Sequence, residues 1–280
     1  MVSRITRLAI LMLPLSLAAQ QQSDYYRTET YDLPKGVNFE ASGLAILADG
    51  KLAVALRKGE VWVAQNPSNV KKPDFTLFAS GLHEILGLAF HKGALYATQR
   101  SEVTRLRDTD GDGVADEYLR AAGGWGVTGN YHEYAYGPAI DREGYLYTSL
   151  NAGMGKGWVG AKLSPEVPTW RGWVVRTSPD GKMEPWAAGF RSPCGIGSNA
   201  EGDLFVTDQQ GNWMPTNPLF HIRKGAYFSH ADSIPDALRP ESPVKLDAKQ
   251  PDGITVAEAI GKVKGYSPPA VWFPYVKMGQ

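Results

Sequence analysis

The sequence predicts an all-β fold, a β-propeller. Two observations carry that reading: a glycine-anchored unit recurs four times, and the composition favours short strands and tight turns. Gly (31), Pro (19), Tyr (13) and Trp (8) are abundant among 280 residues. Gly and Pro punctuate a chain, while aromatic side chains pack well on pleated surfaces. The composition is otherwise that of a globular chain able to bury a large core, 43% hydrophobic and 21% charged,.

The units begin at Gly43, Gly87, Gly137 and Gly195. Each reaches an anchoring leucine, Leu52, Leu95, Leu146 or Leu204, after 9, 8, 9 and 9 residues. Between glycine and leucine lies a polar turn containing a second glycine, so each unit reads as a hairpin. A third strand is expected at 59–64, 102–106, 172–176 and 219–222. Leucine-to-leucine spacings of 43, 51 and 58 residues approach the ~40–50 residues of a propeller blade. A β-sandwich is the competing architecture, but it does not require the register to return four times. Residues 226–280 hold a short helix near 256–263 and one apolar stretch, 270–273. No closing strand is expected at 275–280, so the propeller domain, residues 36–280, is expected to hold four to five blades and to be truncated at its C-terminus.

Residues 1–20 read as a signal peptide: Arg4 and Arg7, an apolar run from Leu8 to Leu17, then Ala18 and Ala19,. The run is about half the ~20 residues that span a bilayer, so no membrane span is expected after cleavage. Residues 21–35 form a linker. A periplasmic or secreted protein is implied, and a lone Cys194 excludes an intrachain disulfide,. Lys+Arg and Asp+Glu are 29 each, without a basic block, so nucleic acid is excluded as a partner.

Two constellations could carry chemistry. Asp108, Asp110, Asp112 and Asp116, with Gly111 and Gly113 between them, offer hard oxygens to one point, as calcium requires. Leu119 occupies the place of an EF-hand glutamate, so the turn is similar to the short acidic calcium turns of thrombospondin type 3 and dockerin repeats. Alternatively, the turn is simply solvated. The second constellation follows from the repeat. Residues just ahead of each repeat glycine should gather at one channel mouth: Glu40, His83, Glu84, Tyr131, His132, Glu133, Arg191 and Ser192. Gln209, in the polar run 208–213, can line the same mouth. A neutral His is a usable proton acceptor and Arg suits an anionic ligand; the bland alternative is a hydrogen-bonded plug.

The runs 132–147, 189–195 and 204–208 resemble the soluble quinoprotein glucose/sorbosone dehydrogenases, six-bladed propellers. Residues 81–84, 129–133 and 207–213 are similar to propeller domains of large exported planctomycete and verrucomicrobial proteins, many linked to a cytochrome c module. The resemblance implies that His132 removes a hydroxyl proton from a sugar or other polyol while hydride passes to pyrroloquinoline quinone, which Arg191, Ser192 and Gln209 would contact. A cytochrome c module or another acceptor would take the electrons. The sequence departs from the family where Glu133 to Tyr136 replace a glycine-rich run and Ser192 replaces Asn. Two other functions stay open: a non-catalytic propeller that binds carbohydrate or a protein partner, and a calcium-dependent lactonase using Glu40, Glu84 and Glu133.

Overall fold

The structure, a computed structural model, describes residues 23, 25–153, 169–211, 213–246 and 253–274. The expected signal peptide and the residues after 274 lie outside them. Among the described residues, sixteen strands form four antiparallel four-stranded meanders. Blade 1 comprises β1 (Ala41–Ile46), β2 (Leu52–Leu56), β3 (Glu60–Ala64) and β4 (Phe75–Ala79). Blade 2 comprises β5 (Leu88–His91), β6 (Ala94–Thr98), β7 (Glu102–Arg107) and β8 (Glu117–Gly123). Blade 3 comprises β9 (Ala135–Ile140), β10 (Leu146–Leu150), β11 (Trp173–Thr177) and β12 (Met183–Ala188). Blade 4 comprises β13 (Ile196–Ser198), β14 (Leu204–Thr207), β15 (Asn217–Ile222) and β16 (Val271–Phe273). The expected strands appear in every blade, and residues 270–273 supply the outermost strand of blade 4. The short helix expected near 256–263 forms over Val256–Ala259, closed by a Thr255/Glu258 capping box,.

The repeat glycine exists because inner strands meet backbone to backbone. A methyl group on Gly43 would lie 2.8 Å from the amide nitrogen of Leu88, and one on Gly87 would lie 1.9 Å from the carbonyl oxygen of Gly137. On Gly137 it would lie 2.8 Å from Cγ2 of Ile196, the residue after Gly195. The inner strands therefore follow one another around a shared centre, and at Gly43, Gly87 and Gly137 only a residue without Cβ permits that approach, while Gly195 has open space around it,.

Between the blades lie apolar layers. Ala53, Ala55, Val61 and Val63 of blade 1 pack on Leu88, Leu95, Ala97 and Leu106 of blade 2. Trp173, Val175 and Leu150 join Val103 and Ala122 across blades 2 and 3. Tyr147, Val174 and Ala187 meet Val206, Phe220 and Ile222 across blades 3 and 4. Burial at ~25 cal/mol per Å² makes these layers the main stabilising element of the array. A further tie joins the last two blades: residues 226–230 run beside the end of β12, with Phe228 N donating to Ala188 O and His230 N to Gly189 O. The propeller is incomplete. On the face of blade 1 turned away from blade 2, Leu44 and Ile46 are 62% and 63% exposed.

Because the strands alternate in direction, inner strands begin, and second strands end, at one face. The β1–β2, β5–β6 and equivalent hairpin turns lie at the other. This alternation decides where each site residue stands.

Candidate functional site

At the face where inner strands begin, blades 1 and 2 contribute a chain of alternating charges. Arg57, just past β2, places Nη2 2.8 Å from Oε2 of Glu40 and Nη1 3.6 Å from Oε1 of Glu84. Arg100, just past β6, lies 3.4 Å from Oε2 of Glu84 and donates to the carbonyl of Asn130 at 2.6 Å. Its guanidinium also covers the Tyr134 ring at 5.4 Å. Glu40 and Glu84 are thus brought to the same rim and neutralised there, and the loop preceding β9 is fastened to blade 2. His83 is exposed and lies 3.7 Å from Glu84.

Blades 3 and 4 use the same positions differently. His132 is half-buried; its backbone N–H donates to Asn130 Oδ1 at 3.0 Å, and its Nε2 is buried without a partner among the described residues. Burial, and then the positive charge of nearby Arg191, push the imidazole below its ordinary value of 6.5, so it is neutral at pH 7 with a nitrogen to spare. Beside it the Tyr131 ring, 65% exposed, packs 4.0 Å from the imidazole centroid. Glu133 points elsewhere: it is buried, and its carboxylate accepts from the amide and hydroxyl of Thr128. Arg171 lies nearby, its guanidinium donating to the carbonyls of Gly126 and Tyr134. Burial outweighs the attraction of Glu133 and brings Arg171 down to about 10,.

Asp208 organises the blade 4 side. It is buried, and it accepts from the amides of Arg191 (2.9 Å), Ser192 (2.8 Å) and Gln209 (2.8 Å). Burial nevertheless pushes its carboxyl up to about 6. The three bonds fix the Arg191 turn against the end of β14. The Arg191 side chain donates to Gln209 Oε1 and, at 3.0 Å, to the carbonyl of Gln210. Behind it lies a cavity of about 10 Å³ bordered by Asp208, Trp213 and His230, enough for one water. Burial lowers the pKa of His230, Asp232 opposes this and Arg191 adds to it.

The acidic turn lies between β7 and β8, at the hairpin face and therefore across the blade from His132. Ligand oxygens of Asp108, Asp110 and Asp116 come within 4.8 Å of one another, while Asp112 turns aside and accepts from Val114 N at 2.8 Å. The amides of Gly113 and Gly111 hold the Asp108 carboxyl below its usual range. Among the described residues this is the one group of three or more acids, His or Cys with such spacing. Glu40, Glu84 and Glu133 are not among the carboxylates whose oxygens come within 4.8 Å of one another.

A family model described as a domain of unknown function, DUF7133, matches residues 70–258, more than half of the chain. The chain belongs to this family. No curated protein matches the DUF7133 chain in sequence. Several solved structures share its fold. A glucose dehydrogenase-type oxidoreductase of Thermus thermophilus is 18% identical, with a TM-score of 0.57 over 85% of this chain and 71% of that one. The PQQ-bound aldose sugar dehydrogenase of Streptomyces coelicolor is 17% identical, with a TM-score of 0.54 over 88% and 70%. A carbohydrate-active enzyme of family AA12 from Trichoderma reesei is 14% identical, with a TM-score of 0.59 over 85% and 69%. The fold is that of the soluble glucose/sorbosone dehydrogenase propellers.

Sequence reasoning missed Arg57 and Arg100. Both had a signal: five residues after each anchoring leucine stand Arg57, Arg100, Asn151 and Gln209, all at the same rim. Asp208 opens the polar run 208–213, and His230, between β15 and β16, reaches blade 3 through its backbone bond to Gly189.

Proposed function

We propose that this chain is an exported quinoprotein-type dehydrogenase domain that oxidises a sugar or other polyol with pyrroloquinoline quinone. The observation that carries the reading is His132: a neutral imidazole with an unpartnered Nε2 beside the Arg191 guanidinium, within a dehydrogenase-type propeller. The donors fit the quinone. Arg191 offers charge to a carboxylate, Ser192 follows it in its turn, and Gln209, after β14, accepts from its guanidinium. When bound, the quinone would supply the acceptor for a hydride, which carries both electrons of the oxidation. His132 accepts the substrate hydroxyl proton at Nε2, general base catalysis worth about 10²–10⁴ in rate. The exposed Tyr131 ring gives a sugar ring an apolar face to rest on. Electrons leave to a cytochrome c module or another acceptor. Export by the N-terminal signal peptide puts this chemistry in the periplasm or outside the cell.

Calcium at Asp108, Asp110 and Asp116 is proposed as a structural ion, because the acidic turn and His132 lie at opposite ends of blade 2 and the loop it supports. Calorimetry should show heat on calcium addition that disappears with Asp110→Ala; identical traces for the two proteins count against the ion.

A second reading has one observation in its favour. Arg57 and Arg100 are already committed to Glu40, Glu84 and backbone carbonyls, which suits a non-catalytic propeller holding neutral carbohydrate or a protein partner. An absorbance titration with pyrroloquinoline quinone separates the two. The dehydrogenase reading expects saturable binding that weakens about tenfold in Arg191→Ala, the loss of one charge-assisted contact. Absence of quinone binding favours the second reading.

A further inference from the structure

The face opposite His132 holds a cavity of about 310 Å³ between blades 2 and 3, at the lower end of the size range of small-molecule sites. Its wall is built from hairpin turns and strand ends of both blades: His91 and Lys92 after β5, Arg105 of β7, Arg120 of β8, and Ser178 and Asp180 after β11. Two features separate it from an ordinary surface groove. Arg105 is held in place from behind, with Nη2 3.0 Å from Glu117. Lys92 sits at φ +46, in a tight hairpin turn where Asn, Asp or Gly is the ordinary choice. A strained, bulky cation at the rim of a cation-lined cavity is a feature that function explains and folding does not.

The geometry points to a second ligand site here, one that takes a monosaccharide-sized sugar carboxylate of the uronic or aldonic acid class. Arg105, Arg120 and Lys92 supply the cationic wall a carboxylate needs, and guanidinium forks match carboxylate geometry. Glu143 and Asp180 stand on the opposite side. They accept hydroxyl protons and repel a second negative charge, which selects a polyhydroxy monoanion over inorganic phosphate. Tyr96 lines the cavity with an aromatic ring, a surface on which a sugar ring packs. The inference is independent of the reading given for His132, since the two sites lie on opposite faces.

Isothermal titration of the purified protein with glucuronate, glucose and inorganic phosphate tests it. Glucuronate is expected to bind saturably, with glucose at least about tenfold weaker, one lost charge-assisted pairing, and phosphate unable to displace it. Arg120 is exposed, so Arg120→Ala should keep the thermal midpoint while weakening glucuronate about tenfold; His132→Ala should leave glucuronate binding intact. Equal binding of glucose, displacement by phosphate, no binding at all, or loss through His132→Ala in place of Arg120→Ala would each overturn the site.

Discussion

The two halves of the channel mouth are built from equivalent positions of one repeat and end in opposite electrostatic states. In blades 1 and 2 the residue five beyond the anchoring leucine is Arg57 or Arg100, and it closes the rim by pairing with Glu40 and Glu84. In blades 3 and 4 the same position carries Asn151 and Gln209. No cation occupies it, so the neighbouring His132 keeps an unpaired nitrogen and Arg191 turns toward Gln209 and Gln210. A change of side-chain type at a repeated position thus accompanies the change from a paired rim to one where His132 and Arg191 stand side by side. The scaffold is shared, and the chemistry is local.

The largest expected effect lies under the open half. Asp208→Ala leaves the buried Ser192 amide and the part-buried amides of Arg191 and Gln209 without an acceptor, at ~1–3 kcal/mol each for buried groups, so urea denaturation should show a loss on the order of 3–5 kcal/mol. A loss below about 1 kcal/mol would break the view that a buried carboxylate builds this half. On the paired half, Arg57→Ala removes half-exposed ion pairs and should cost no more than about 1 kcal/mol, less at high salt. A larger, salt-independent loss would mean the paired rim is more than a surface network.

The subtlest test sharpens the contrast through pH. In the proposed reaction His132 acts in its neutral form, and burial and Arg191 both lower its pKa. Activity should therefore be present above the folded-state pKa and disappear as pH falls through it, with the acid limb of kcat/KM below 6.5. An acid limb at or above that ordinary imidazole value would contradict a desolvated base at this position.

Much of the fold was legible because it rests on local chemistry. Hairpin turns, alternating strands and a glycine with no room for Cβ all leave marks in a linear sequence, and Gly43, Gly87 and Gly137 do each press against the inner strand of the next blade. The mouth was legible only in part. His132 and Glu133 are neighbours in sequence, yet adjacent side chains in an irregular turn diverge, and Glu133 ends buried on Thr128 while His132 stays at the rim. Asp112 parts from its three acidic neighbours for the same reason, taking a local backbone amide. Partners such as Arg57 with Glu84, or Asp208 with the amides of 191 and 192, join residues far apart in the chain. The repeat spacing brings such residues to one rim, but which of them pair is decided by how the blades pack.

The reading of this protein as a sugar-oxidising quinoprotein stands on one imidazole. With pyrroloquinoline quinone and calcium present, dye reduction over a panel of sugars and polyols should fall about 10²–10⁴-fold in His132→Asn while quinone affinity stays within about threefold of the parent, less than the tenfold of one lost charge-assisted contact. Undiminished turnover in His132→Asn would contradict it.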